Sequence, residues 1–206
     1  QGQSARALSG AGVVFQPLEN LDLTASNAWK TLLVIDEGAA TGANADEFAR
    51  LQSFVEAGGR MLVLAQTNLL AGLPVRTLLE PREWSSMPFV RTPQHPALKG
   101  ISTWDLHFWS PDHVSARGAY SKPDGGPAVT LVDSGTDTGL EWAQMMECYR
   151  GRGSYLLCQF PVAGNYDADP KARVLLANLL RYAGSETAWR APSRARRGPR
   201  GRRPRS

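Results

Sequence analysis

Apolar positions along the chain fall into a few separable patterns. Leu32-Leu33-Val34-Ile35 and Met61-Leu62-Val63-Leu64 are unbroken runs, as expected of strands buried on both faces of a parallel sheet. Between them Phe48, Leu51, Phe54 and Val55 recur at helical spacing. Asn44 stands where a cap belongs, and Asp46 and Glu47 fall in the first turn, where the helix dipole favours acids. Gly58-Gly59 then supplies a left-handed stop. Strand, helix, glycine stop and strand predict a βαβ crossover. Further on, residues 128–132 read as a strand, and residues 141–149, the turn Arg150-Gly151-Arg152-Gly153 and residues 154–160 predict a β-hairpin. Asp169-Pro170 opens a closing helix, with Pro in the first turn where its missing N–H does no harm. Val174, Leu175, Leu176, Leu179, Leu180 and Tyr182 line that helix, and Gly184 ends it.

Residues 67–127 break the pattern, punctuated by Pro74, Pro81, Pro88, Pro93, Pro96, Pro111 and Pro123. So long an irregular stretch in a compact domain is functional or packed by its own aromatics, and Trp84, Trp104, Phe108 and Trp109 are available for that packing. Residues 1–12 are small and polar, which predicts a linker. The expected organisation is therefore a linker over 1–12, an α/β domain over 13–184 and a disordered arginine-rich tail over 185–206.

Composition narrows the classes. At 206 residues and 42% hydrophobic the chain fits one domain with a sizeable core, not a disordered polymer. No apolar run approaches the ~18 residues of a membrane span. Two cysteines exclude a disulfide-dense scaffold and a four-cysteine zinc site, and with three histidines a metal cluster is poorly supplied. The net charge of +4 hides a division. Eight arginines lie in residues 190–206 with no acid, and the remainder holds 15 basic against 19 acidic residues. Such a tail could bind nucleic acid electrostatically, but it lacks interleaved aromatics and reads as a solvated segment. The start, Gln1-Gly2-Gln3-Ser4, has no Met and no leader pattern, which reads as a piece of a longer polypeptide.

Candidate chemistry is sparse. There is no P-loop, and Gly151-Arg152-Gly153 lacks the third glycine and the strand–helix context of a dinucleotide site. No nucleophile elbow is present, and Cys148 and Cys158 sit inside expected strands as inert core thiols. No cofactor and no metal is implied. Asp36 and Glu37 follow the first long strand at its carboxyl end, where open α/β sheets collect ligands, although two acids there can equally cap a loop or a helix. His107, Asp112 and His113 form the best polar constellation, and with a structural hydrogen-bonding role as the plainer reading. Asp36, Glu37, Asp112 and His113 are thus the candidate ligand pocket. Trp104, Phe108 and Trp109 could stack on sugar rings or plug the core beneath the long loop. Trp104 and Phe108 share a helical face, which favours packing.

Several stretches resemble a known family. Gln94-His95-Pro96-Ala97-Leu98-Lys99-Gly100-Ile101 resembles the His-Pro-x-x-x-Gly-Leu/Ile phrase of amidotransferase-like domains, including the trehalose-utilisation type. Residues 104–113 and 139–159, with the closing helix around Leu175, are similar to a module of bacterial glycoside hydrolases of the family 2, β-galactosidase-like kind. The resemblance spans about residues 13–183. It implies a flavodoxin-like α/β fold, with a mostly parallel sheet flanked by helices, a C-terminal β-hairpin and a closing helix. Amidotransferases of this class carry a Cys nucleophile at the turn after a central strand and a His-Glu pair later. Here Ala65-Gln66-Thr67-Asn68 follows the strand without a Cys, so glutaminase activity is not expected. The sugar chemistry of such hydrolases resides in a separate (β/α)₈ barrel, for which this chain has no room. The resemblance thus implies a non-catalytic accessory domain whose partner is the catalytic barrel of a parent polypeptide or a homo-oligomer, with carbohydrate as a further contact. The alternatives are a standalone trehalose-utilisation-like protein with a pocket at the carboxyl edge, and a nucleic-acid binder acting through the tail. Parents of this kind are often exported, and the residues themselves assign no compartment.

Overall fold

The computed structural model describes residues 2–18, 30–39, 45–68, 73, 75, 78–79, 87–123, 126–136 and 139–185. Asn44, Trp84 and residues 186–206 of the tail lie outside them. In chain order the elements are α1 (Gln3–Gly10), β1 (Leu32–Ile35), α2 (Ala45–Glu56), β2 (Arg60–Val63), β3 (Leu78–Leu79), β4 (Pro88–Val90), a 3-10 turn at Pro96–Leu98, α3 (Thr103–His107), β5 (Ala119–Ser121), β6 (Ala128–Thr136), β7 (Gly139–Arg150), β8 (Gly153–Cys158) and α4 (Pro170–Gly184).

The expected crossover is present. β1 and β2 run parallel with Leu33 opposite Met61, and β8 lies parallel on the far side of β2 with Tyr155 opposite Met61. These strands need apolar residues on both faces because helices cover both. Met61 and Val63 pack with Leu51, Phe54 and Val55 of α2, whereas Leu62 and Leu64 pack with Leu175, Leu176 and Leu179 of α4. Each such fully buried side chain contributes about 1.5–3 kcal/mol. Helices on opposite faces of a parallel centre give the mixed α/β architecture that a flavodoxin-like fold requires.

Beyond β8 the sheet becomes antiparallel, and this part is wider than the hairpin alone. β7 pairs with β8 from Met145 to Arg150, with β5 at Trp142 and Ala143, and with β6 from Gly139 to Cys148, while β4 adds to β6 and β3 to β5. The hairpin turn falls at the expected four residues. Arg150 pairs with Gly153, leaving Gly151-Arg152 as the loop. Gly151 sits at φ +58°, a position that favours glycine at the start of a two-residue hairpin turn. A Cβ on Gly153 would fall 2.1 Å from the Gly59 carbonyl oxygen and 2.2 Å from that of Val55. The hairpin end therefore seats directly on the glycine stop of α2, where Arg152 N–H donates to Glu56 O at 3.1 Å.

The lead-in differs from the expected linker. Residues 3–10 form α1, with Ser4, Ala7 and Leu8 buried and Ala7 in the core beside Leu62 and Leu64. Its apolar stripe is only one small and one large residue wide, too narrow to stand out against polar neighbours.

Candidate functional site

At the carboxyl edge of β1 the two acids are already engaged. Asp36 Oδ1 accepts the Ser4 N–H at 2.9 Å and the Glu37 N–H at 2.8 Å, which places its charge in the first turn of α1. Gly2 approaches so closely that a Cβ there would lie 1.6 Å from Asp36 Oδ2. Glu37 reaches across to the loop between β8 and α4, accepting the Ala163 N–H at 2.7 Å on one oxygen and the Gly164 N–H at 2.9 Å on the other. Burial pushes the Glu37 carboxyl above its usual range, against the two hydrogen bonds that favour its charge.

The turn after β2, where the resemblance to amidotransferases implied a nucleophile position, holds buried Gln66. Its Nε2 donates to Asp36 O at 2.6 Å and to Leu64 O at 2.8 Å, and its N–H donates to Gln159 Oε1 at 3.2 Å. Gln159 N–H in turn donates to Gln144 O at 2.8 Å. Gln144 lies where the β6–β7 register shifts between Val132 opposite Met145 and Asp133 opposite Ala143. A bulge there re-aims its side chain toward Ser134 Oγ and Ser115 Oγ, at 3.3 and 3.5 Å.

Asp112 and His113 form a turn on the exposed loop after α3. Asp112 Oδ1 accepts the Val114 N–H at 3.1 Å, and Asp112 Oδ2 meets exposed Arg117 at 2.7 Å. His113 occupies the left-handed region at φ +60°, with its N–H donating to Trp109 O at 2.7 Å. The neighbouring Ser110 is tied to Asp169 and Asn165, so this loop and Glu37 contact the same β8–α4 segment. Among the described residues no hydrogen bond joins Asp36 or Glu37 to Asp112 or His113. A groove of about 360 Å³ among Tyr166, Arg173, Asn178 and Arg181 includes none of the four.

His107 does a different job from Asp112 and His113. Its Nε2 donates to Pro88 O at 2.8 Å, and Thr103 Oγ1 accepts the Val90 N–H at 3.1 Å. Four residues apart on α3, these two side chains satisfy the outer backbone groups of β4 and cover a sheet edge. A Ser102–Asp105 capping box holds α3 in place.

The aromatic group divides. Trp109 is fully buried and stacks on Phe160, with centroids 5.6 Å apart, so it plugs the core. Trp104 is 72% exposed and Phe108 60%, contrary to the packing that their shared face suggested. Leu106 and Trp109 took the inward face of this segment instead, leaving the 104/108 stripe to solvent.

One polar cluster escaped the sequence reading. Buried Glu147 projects from β7, and its Oε2 accepts hydrogen bonds from Tyr149 and Tyr182, each at 2.8 Å, and from His95 Nε2 at 3.3 Å. Because the Ala97 N–H donates to His95 Nδ1 at 3.3 Å, the proton sits on Nε2. His95 caps the 3-10 turn and pins it to β7. Burial, then the Glu147 charge, pushes both phenols above their usual range. The signal available in sequence was the alternation Met145, Glu147, Tyr149, which sets one charge on a buried face. Burial pushes the thiols of Cys148 and Cys158 up to about 12, and they stand on opposite faces of the sheet.

No protein-family model and no curated protein matches the chain. Among solved structures, a cytoplasmic protein from Salmonella typhimurium is 14% identical over 87% of this chain and 85% of its own, with a TM-score of 0.54. A ThuA-like protein from Bacteroides uniformis is 12% identical over 89% of this chain and 82% of its own, with a TM-score of 0.50. A β-galactosidase from Rahnella sp. R3 is 15% identical over 86% of this chain and 26% of that enzyme, with a TM-score of 0.49. The first two likenesses establish a shared fold, and nothing finer.

Proposed function

We propose that this is a non-catalytic, amidotransferase-like domain serving a carbohydrate-active enzyme, where it braces a catalytic barrel or an oligomer interface. The observation that carries this reading is the consumption of the carboxyl edge by internal hydrogen bonds. Glu37 spends both oxygens on Ala163 and Gly164, Asp36 caps α1, and Gln66 occupies the turn where a nucleophile would sit. Groups held in this way position backbone and are not presented to a substrate. Both thiols are buried with raised pKa, which disfavours the thiolate that acyl transfer needs. The resemblance of residues 104–113 and 139–159 to a module of β-galactosidase-like hydrolases supplies the carbohydrate setting.

The test is to assay the purified chain against glutamine and against aryl β-galactosides and β-glucosides, alongside Glu37→Gln. The reading expects no turnover from either protein and a lower unfolding midpoint in the variant. Turnover in the parent chain that is lost in Glu37→Gln, with the fold intact, contradicts it.

A further inference from the structure

We propose that the outward face of α3, built on Trp104 and Phe108, is a stacking platform for a neutral sugar ring. Every polar position around this short helix is used to hold it still. Ser102 and Asp105 close a capping box, Thr103 and His107 bind the backbone of β4, and Leu106 is buried beneath. On that fixed mount the two largest side chains point to solvent. His107 packs edge-on against Trp104, Phe108 and Phe89, with centroids 5.6, 6.3 and 6.1 Å away, which ties the rings into one patch. Phe89, itself partly exposed, extends it.

The size of the patch selects the occupant. With aromatic side chains of roughly 150–250 Å² each, the exposed parts of these residues amount to a few hundred Å². A stable protein interface needs about 800 Å² from each partner, so a second copy or a folded partner is underserved. One or two sugar rings are not.

The flanking chemistry agrees. At about 100° per residue, Asp105 and His107 lie on either side of the 104/108 stripe. Asp105 Oδ2 accepts both Ser102 donors, at 2.8 and 2.6 Å, which leaves Oδ1 to accept from a ligand. His107 donates through Nε2, so Nδ1 of the neutral ring is likewise an acceptor. Lys171, whose charge reaches Asp105, is itself paired with Asp169 at 3.1 Å. Two acceptors bordering apolar rings suit a polyol, whose C–H face stacks while its hydroxyls donate. They repel a phosphorylated or carboxylated sugar.

The experiment uses the full chain, titrated with methyl β-glucoside, methyl β-galactoside and cellobiose up to about 50 mM, a range that captures millimolar affinity. Binding is read by tryptophan fluorescence and by ligand-detected NMR, with glucose 6-phosphate as the charged comparison. Saturable binding of at least one neutral sugar is expected, weaker for the phosphate. Trp104→Ala and Phe108→Ala should each weaken it about tenfold at an unchanged unfolding midpoint, as loss of an anchor does. No saturable binding overturns the proposal, as does binding that survives the double variant. A concentration-dependent dimer abolished by Trp104→Ala also overturns it, by giving the patch to a second copy.

Discussion

Glu37 and Gly164 stand 127 positions apart in the chain and are joined by a 2.9 Å hydrogen bond from the Gly164 N–H to Glu37 Oε2. With the Ala163 N–H on the other oxygen, one side chain fixes the β8–α4 loop to the end of β1. Removing the charge should leave these N–H groups facing a poorer acceptor. Glu37→Gln sets an amide NH₂ against one of them and should cost about 1 kcal/mol, because relief from burying the charge offsets part of what the bonds lose. Urea unfolding at neutral pH measures this, and a loss below about 0.5 kcal/mol would count against the clamp.

Asp169 gives a pH-dependent prediction. Burial raises its pKa, but the Ser110 and Lys171 N–H bonds and the Lys171 ammonium more than offset this and hold it below the usual carboxylate range. A carboxyl depressed by folding stabilises above its unfolded pKa, and that stability is lost as pH falls through the folded value. Asp169→Asn keeps a capping oxygen but loses the charge that the helix N-terminus and Lys171 favour, and should therefore cost about 1–2 kcal/mol at neutral pH. The gap between parent and variant should close as denaturation is repeated toward pH 3.

The Glu147 cluster should behave as a buried unit. Tyr182→Phe removes one donor and should cost about 1 kcal/mol, whereas Glu147→Ala strands Tyr149, Tyr182 and His95 together and should cost more than the single hydroxyl. Equal losses in the two variants would show that the donors do not depend on the carboxylate.

Left-handed backbone at His113 suggests a substitution that improves the protein. His113→Gly relieves the φ +60° conformation at a small entropic penalty, so stability should hold or rise by up to about 1 kcal/mol. A clear loss would assign the imidazole work that its exposed turn does not reveal.

Both thiols should be silent toward a disulfide reagent in the native protein and react together on unfolding, because Cys148 and Cys158 are buried with pKa values raised to about 12. Rapid native labelling of either would place it outside the core.

The parts of the fold legible in sequence were those with local, repeated signals. Leu32 to Leu64 announced strand, helix and strand because both faces of β1 and β2 must be apolar, and Asp169-Pro170 marked α4 through its cap. The rest depended on distant partners. β4 has three residues and pairs with β6 some forty positions later, so nothing near Phe89 declares a strand. Helix α1 hides behind Ala7, whose small side chain permits close approach but carries little hydrophobic signal. On α3, spacing placed Trp104 and Phe108 on one face correctly, but spacing cannot say which of two stripes faces inward. Leu106 and Trp109 decided that by packing into the core. At the edge of β1 the sequence offered Asp36 and Glu37 as ligand groups or as caps, and only the backbone of Ser4, Ala163 and Gly164 showed what they hold.

Amide hydrogen exchange at Ala163 and Gly164 tests most directly whether the carboxyl edge is closed from within. The account predicts slow exchange of both amides in the native chain. In Glu37→Gln both should exchange faster, while the amides of β2 keep their protection. Exchange of both amides at the rate of an open loop in the parent chain would contradict it, because Glu37 would then be free to meet a ligand.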